Sequence, residues 1–116
     1  GYFIPKRQQK LIEDTICFTI GKLANESDEI IDIEINVCDI PEHGWCTNYG
    51  DCFEIQISKK LLLDDYKVIV TAAHEAVHVT QHLNSTELSE DEAYGLEEEL
   101  ARECFPEFQE QKLLVG

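Results

Sequence analysis

The sequence predicts a single α+β domain over residues 1–116, with one helix first, a three-stranded antiparallel or mixed sheet in the middle and two helices last. Three patterns predict this fold class. Apolar residues recur at near-helical spacing over residues 8–23, apolar and polar residues alternate over residues 29–37, and residues 64–83 contain neither Pro nor Gly. A chain of 116 residues is long enough for one modest core but not for a separate substrate-binding domain.

The first helix and the first strand are each expected to bury one face. Pro5 stands just ahead of the helix, where a proline is tolerated because its missing N–H has no partner to lose. In the strand, Ile33, Ile35 and Val37 point to one side, and the polar residues between them point to the other. The strand should therefore lie at the surface of the core with one wet face.

A β-hairpin is predicted next, with strands at residues 45–47 and 52–58 joined by a turn. Three alternating apolar residues of its second strand are expected to face the core: Phe53, Ile55 and Ile57. Cys46 and Cys52 flank the turn. They could face each other across the hairpin, but they belong to a set of five cysteines with no C-x-x-C pair, whose odd number leaves at least one thiol free. In a reducing compartment we expect reduced thiols at Cys46 and Cys52, in preference to a disulfide.

Two helices are predicted to end the domain. The first, over residues 64–83, begins with Asp64 or Asp65 as its cap and is apolar on most sides, so it should run through the core. The second runs from about residue 89 to residue 104 and closes before Pro106.

His74, Glu75 and His78 form a His-Glu-x-x-His pattern on the first of these helices. Residues four apart lie one above the other on a helix, so both imidazoles can bind one metal ion while Glu75 stands beside them. Zinc bound by three protein ligands keeps a position for water and lowers its pKa to roughly 7. The pattern therefore predicts a Zn²⁺ site that hydrolyses peptide bonds, with Glu75 as the general base.

The motif helix does not supply the third ligand. His82 is four residues beyond His78, but three residues at this spacing drift by about 80° around a straight helix and do not converge on one ion. Gln81 and Asn84 stand where the metzincin pattern requires Gly and His, so that group is excluded. His82 and Tyr94 are instead assigned as candidate donors to the oxyanion that forms during hydrolysis, with His43 as a further alternative.

The order of elements resembles the minimal zincin arrangement of a small gluzincin-like zinc metallopeptidase, and the resemblance covers the chain apart from its tail. Residues 91–94 read Asp-Glu-Ala-Tyr. This stretch is similar to one that follows the motif helix in small metallopeptidase-like proteins of bacteriophages. By that match Glu92 is the third metal ligand, beside His74 and His78.

Other carboxylates of the last helix stay open as the third ligand. Ser89 and Glu92 also form a capping box, in which Glu92 reaches back to the start of the helix. The apolar stripe of this helix lies nearer Glu97 than Glu92, which makes Glu97 the main alternative. Glu90 and Asp91 are the remaining ones.

The resemblance also implies how a substrate binds. In zincins the strand before the motif helix commonly lies at the edge of the cleft and pairs with an extended peptide, a role that falls here on residues 52–58. The tail, residues 105–116, either covers the cleft, as the C-terminal segments of miniature gluzincins are thought to do, or packs on the first helix.

The charge of the chain leads to a second function class. Nine Lys and Arg stand against 24 Asp and Glu, and the net charge of −15 disfavours direct binding to nucleic acid. The chain has no run of about 18 apolar residues, so we expect no membrane segment and a cytoplasmic protein, in the host cytoplasm if a phage encodes it. The alternative is a non-catalytic acidic interaction protein on a metallopeptidase-like fold, an inhibitor or nucleic-acid mimic that binds a basic protein.

Overall fold

The computed structural model describes residues 3–25, 32–50 and 52–109, which form three α-helices and three β-strands. In chain order they are α1 (Lys6–Leu23), β1 (Asp32–Cys38), β2 (Gly44–Asn48), β3 (Cys52–Ser58), α2 (Asp65–Leu83) and α3 (Glu90–Cys104). Short 3₁₀ turns at Lys59–Leu63 and Pro106–Phe108 follow β3 and α3. The predicted α+β class is confirmed; residues 29–31 of the predicted first strand lie outside the described residues.

Helix α2 is the centre of the fold because it is apolar on nearly every side. Residues 68–77 are all buried. Asp64 caps the helix, and its side chain accepts hydrogen bonds from the backbone N–H groups of Tyr66 and Lys67. One side of α2 packs on α1 and the sheet, and the other packs on α3. No helix in the described ranges is long and apolar enough to cross a membrane.

The core lies on both sides of α2. The first part joins α1, α2 and the sheet, and its largest members are Ile12, Ile16, Phe53, Ile55 and Ile57. The second part joins α2 to α3 through Ala73, Val77, Ala93 and Leu100. The apolar faces predicted for the first helix and for residues 52–58 are therefore confirmed. Small side chains between α2 and α3 let the two helices approach closely, which matters for the site they share.

Strand β3 is central in the sheet, and the expectation that residues 52–58 form an edge is wrong. β3 pairs in parallel with β1 and antiparallel with β2, so the strand order is β1-β3-β2. Backbone groups on both sides of β3 are taken by these neighbours and are not available to another strand. The edge strand that contacts α2 is β2.

All five cysteines lie in the described ranges, and no disulfide links them. The hairpin register sets Cys46 opposite Ile55, so Cys46 and Cys52 do not face each other across the strands.

The start of the tail packs beside the helices. Phe108 stacks on Tyr66 with ring centroids 5.9 Å apart, and Phe105 and Leu11 join the same cluster. The tail thus begins against α2 and close to α1. Residues 110–116, on which the cleft-covering prediction depends, lie outside the described residues.

Candidate metal centre

One turn of α2 brings the imidazoles of His74 and His78 to the side that faces the start of α3. Their ring centroids are 5.0 Å apart. The carboxylate of Glu90, the first residue of α3, lies 3.5 Å from Nε2 of His74 and contacts Nε2 of His78. One ligand atom from each of the three residues lies within 4.8 Å of the other two, so they can hold a metal ion. We call His74, His78 and Glu90 the metal-ligand group.

Each imidazole also hydrogen-bonds a neighbouring side chain through its Nδ1 atom. Nδ1 of His74 is 2.9 Å from a carboxylate oxygen of Glu97, and Nδ1 of His78 is 2.9 Å from the amide oxygen of Gln81. An oxygen acceptor at Nδ1 places the proton there and leaves the Nε2 lone pair for a metal. Nε2 is therefore the nitrogen of each ring that faces Glu90 and is available to a metal ion.

The donor set fits zinc. Two neutral imidazoles and one carboxylate form a three-ligand set of the kind that zinc uses where a fourth position stays open. The outer partners, Glu97 and Gln81, are the kind of carboxylate and carbonyl acceptors that orient zinc-binding histidines. Other divalent transition metals accept the same donors, so the residues define a possible metal site without selecting the ion.

The carboxylates around His74 also change its protonation. Burial lowers the pKa of His74, but the hydrogen bond to Glu97 and the charges of Glu75, Glu97 and Glu90 outweigh it, so the pKa is raised above the usual 6.5. A metal ion and a proton therefore compete for this imidazole, and metal binding should strengthen as the pH rises.

Glu75 is buried beside the two histidines, with 4% of its surface exposed. Burial raises its pKa from 4.5 to about 7, against the lowering effect of His74 and His78. A carboxylate with a pKa near neutrality can both accept and return a proton at physiological pH.

By contrast, burial and the charge of Glu75 raise the pKa of the Cys46 thiol to about 12, so Cys46 stays protonated and does not act as a thiolate.

Glu75 also lies close to β2, at Gly44. A Cβ atom added at Gly44 of β2 would lie 3.2 Å from Oε2 of Glu75 and 2.8 Å from Cγ2 of Thr71. Only glycine leaves room for this contact between helix and strand. The carboxylate therefore packs against β2, an edge strand of the sheet.

A cleft of about 900 Å³ opens over these groups. Residues of α2, including His74, Glu75 and His78, line one side, and β2 and the start of α3 line the others. Three exposed apolar or aromatic side chains also line it: Trp45, Leu88 and Tyr94. A concave site with apolar walls and a few converging polar groups is typical of a ligand-binding pocket.

Glu92, the residue chosen from the phage-protein match, lies outside the metal-ligand group. Its backbone N–H donates to Oγ of Ser89, the residue that caps α3. Glu92 is two residues after Glu90, so its side chain leaves the helix about 200° around the axis from that of Glu90. Its carboxylate instead accepts a hydrogen bond from Gln81. The carboxylate that joins the two histidines as the third possible ligand is therefore that of Glu90, and the choice of Glu92 is wrong.

The two candidate oxyanion donors both lie in the cleft. Tyr94 is 64% exposed, and its ring centroid is 4.6 Å from that of His74. His82 is exposed at the other end of the motif, where it hydrogen-bonds the side chain of Asn48 and sits edge-on to Phe53. The structure brings Tyr94 to the metal-ligand group and leaves His82 one turn beyond it.

Two residues of the site were not assigned these roles from the sequence. Glu90 was only an alternative, although Glu90, Tyr94 and Glu97 follow each other at spacings of four and three and therefore share one helix face. The role of Gln81 had no signal in the sequence, because its contacts depend on how the α2–α3 connection folds back.

Comparisons of the chain with protein-family models, with curated proteins and with solved structures yielded no match. What the protein can do chemically therefore follows from the residues of the site.

Proposed function

We propose that this protein is a zinc-dependent peptidase in which His74, His78 and Glu90 bind the ion. Zinc held by three protein groups supplies a Lewis acid for the substrate carbonyl and lowers the pKa of a water molecule. The observation that carries the proposal is Glu75, a buried carboxylate with a pKa of about 7 that lies beside both histidines in an open cleft. A metal site that only stabilises a fold has no need of such a group.

In this proposal Glu75 is the proton carrier. It accepts a proton from the water that attacks the peptide carbonyl and returns it to the leaving amine as the C–N bond breaks. Tyr94 is positioned against His74 and is the nearer of the two candidate donors to the oxyanion; His82 is the other. Glu97 holds the His74 ring during these steps.

We further propose that an extended peptide pairs with β2. The residues that flank this strand, His43 and Tyr49, hydrogen-bond to β3 through their backbones. Backbone groups alternate between the two sides of a strand, so three residues present theirs at the open edge: Gly44, Cys46 and Asn48. Because Glu75 lies against Gly44, a peptide added at this edge runs past the metal-ligand group.

The proposal is tested by measuring metal content and peptide cleavage together. The parent protein and Glu75→Gln are loaded with zinc, analysed for bound metal and incubated with a library of unfolded peptides. We expect chelator-sensitive cleavage by the parent and none by the variant, with equal zinc content in both. Cleavage at the parent's rate by Glu75→Gln would refute the role of Glu75.

A net charge of −15 favours one alternative, a non-catalytic acidic protein that binds a basic partner. The same experiment separates the two functions. Failure of the zinc-loaded parent to cleave any unfolded peptide would exclude the peptidase and leave the acidic interaction protein.

A further inference from the structure

Gln81 is a buried amide that connects the metal-ligand group to the start of α3. Only 2% of its surface is exposed. Its amide oxygen accepts hydrogen bonds from Nδ1 of His78 at 2.9 Å and from the backbone N–H of Ser89 at 3.2 Å. Its amide nitrogen donates to the backbone carbonyl of Ser89 at 3.1 Å and to the carboxylate of Glu92 at 2.9 Å.

These partners permit only one orientation of the amide. The backbone N–H of Ser89 can only donate, whereas the Ser89 carbonyl and the ionised Glu92 carboxylate can only accept. A flipped amide would place its oxygen against two acceptors and its nitrogen against a donor. The oxygen must therefore face His78, so Nδ1 of His78 carries a proton and Nε2 is the ring nitrogen that faces Glu90 and is left for a metal ion.

The same residue fixes the connection between α2 and α3. The backbone carbonyl of Gln81 accepts hydrogen bonds from the N–H and the hydroxyl of Thr86. The side-chain amide holds both backbone groups of Ser89, the residue that caps α3 and precedes Glu90. The location of Glu90 beside the histidines is thereby set from Gln81.

We propose that Gln81 is a positioning residue that sets the tautomer of His78 and the location of Glu90, and so prepares two of the three metal-binding groups. The metal-binding part of this inference rests on the proposed function. The tautomer part does not, because it concerns the metal-free protein.

The first test is Gln81→Leu, which keeps the approximate volume of the side chain and removes every hydrogen bond of its amide. We expect zinc affinity, measured by competition with a chromophoric chelator, to fall by about 10–100-fold, the usual cost of losing an outer partner of a metal-binding histidine. In the metal-free variant, ¹⁵N shifts of the His78 ring should lose the pattern of a proton fixed on Nδ1. The matched control is Thr80→Val, which deletes a buried hydrogen bond to Val77 on the same helix.

The second test exchanges the two ends of the amide–carboxylate pair. Gln81→Glu alone sets a carboxylate against Glu92 and the Ser89 carbonyl, and it should weaken zinc binding. Adding Glu92→Gln supplies a new amide that can donate to the new carboxylate, and the double variant should recover affinity while His78 keeps its proton on Nδ1.

Three results would decide against the inference. They are a Gln81→Leu variant that binds zinc no more weakly than Thr80→Val, a His78 ring whose proton stays on Nδ1 in that variant, and a double variant with no recovery over Gln81→Glu. A parent protein that binds no zinc would refute the proposed function, and the ring shifts would still decide whether Gln81 sets the tautomer.

Discussion

Glu90 completes the possible metal site and is at the same time largely exposed. It contacts both histidine rings, yet 62% of its side chain is exposed to solvent. An exposed carboxylate costs little to keep ionised, so its removal should affect metal binding far more than folding. Glu90 is for this reason a clean position at which to test the ligand set.

Glu90→Gln and Glu92→Gln form a matched pair for that test. We expect Glu90→Gln to lower zinc affinity by more than the 10–100-fold that loss of an outer partner costs, because a ligand is lost. Glu92→Gln should leave zinc affinity close to the parent's, since the new amide oxygen can still accept from Gln81. Chelator competition measures both. Equal losses in the two variants would contradict the assignment of Glu90.

The choice between these carboxylates was difficult from sequence for a physical reason. Glu90 and Glu97 are seven residues apart and differ by only about 20° in phase, so they share a helix face, while Glu92 points away from it. The match of four residues at positions 91–94 does not show which side of the helix faces α2. The phase follows from the cap at Ser89 and from the packing of Ala93 and Leu100 against α2, which only the folded chain fixes.

Glu75 is expected to lower the stability of the metal-free protein at neutral and higher pH. Its folded pKa of about 7 lies above the ordinary 4.5, so the folded state favours the neutral carboxyl. The free energy of unfolding therefore falls by about 3 kcal/mol in total as the pH rises from 4.5 to about 7, and it stays at that lower level above pH 7, where the buried carboxylate is ionised. Glu75→Gln should therefore stabilise the metal-free protein at pH 8 but not at pH 4.

The measurement is urea unfolding of metal-free parent and variant at the two pH values. Glu42→Gln is the control, because Glu42 is exposed at the rim of the same cleft. Equal stability of parent and Glu75→Gln at pH 8 would show that Glu75 is not held in a desolvated position.

Among the elements, the helices and the inward faces were predictable, and the order of the strands was not. Alternation of Phe53, Ile55 and Ile57 identifies a strand with a buried face, but a central strand and an edge strand share that pattern. What makes β3 central is its parallel pairing with β1, a contact between segments far apart in the chain. Local periodicity contains no information about such pairing.

The approach of β2 to α2 depends on the missing side chain at Gly44. In Gly44→Ala the new Cβ would meet Cγ2 of Thr71 at 2.8 Å and the backbone carbonyl of Gln56 at 2.9 Å. The carbonyl belongs to β3 and cannot rotate away, so we expect a loss of about 1–3 kcal/mol in unfolding free energy. The proposed peptidase activity should fall as well, since the displaced strand borders Glu75.

Gly21→Ala is the matched control for this substitution. Gly21 lies within α1 with nothing near its added Cβ, and alanine there should stabilise the helix by about 0.5–1 kcal/mol. Thermal unfolding of both variants measures the difference. A Gly44→Ala variant as stable as the parent would mean that β2 and α2 do not approach closely.

At the scale of the whole molecule, the metal-ligand group spans the contact between α2 and α3. His74 and His78 come from one helix and Glu90 from the other, while the interface beneath them consists partly of the small residues Ala73 and Ala93. These small side chains contribute little buried apolar area directly beneath the three residues. A bound ion would therefore link the two helices at this point.

Zinc should accordingly raise the melting temperature of the parent protein. An ion that binds only the folded state at 100 times its dissociation constant contributes about 2.7 kcal/mol. For a chain of 116 residues this corresponds to roughly 10 °C. Differential scanning calorimetry with zinc and with a chelator measures the shift, and Glu90→Gln should lose most of it. The same shift in parent and variant would indicate zinc bound elsewhere, for instance by the acidic surface, because only binding at the α2–α3 contact depends on Glu90.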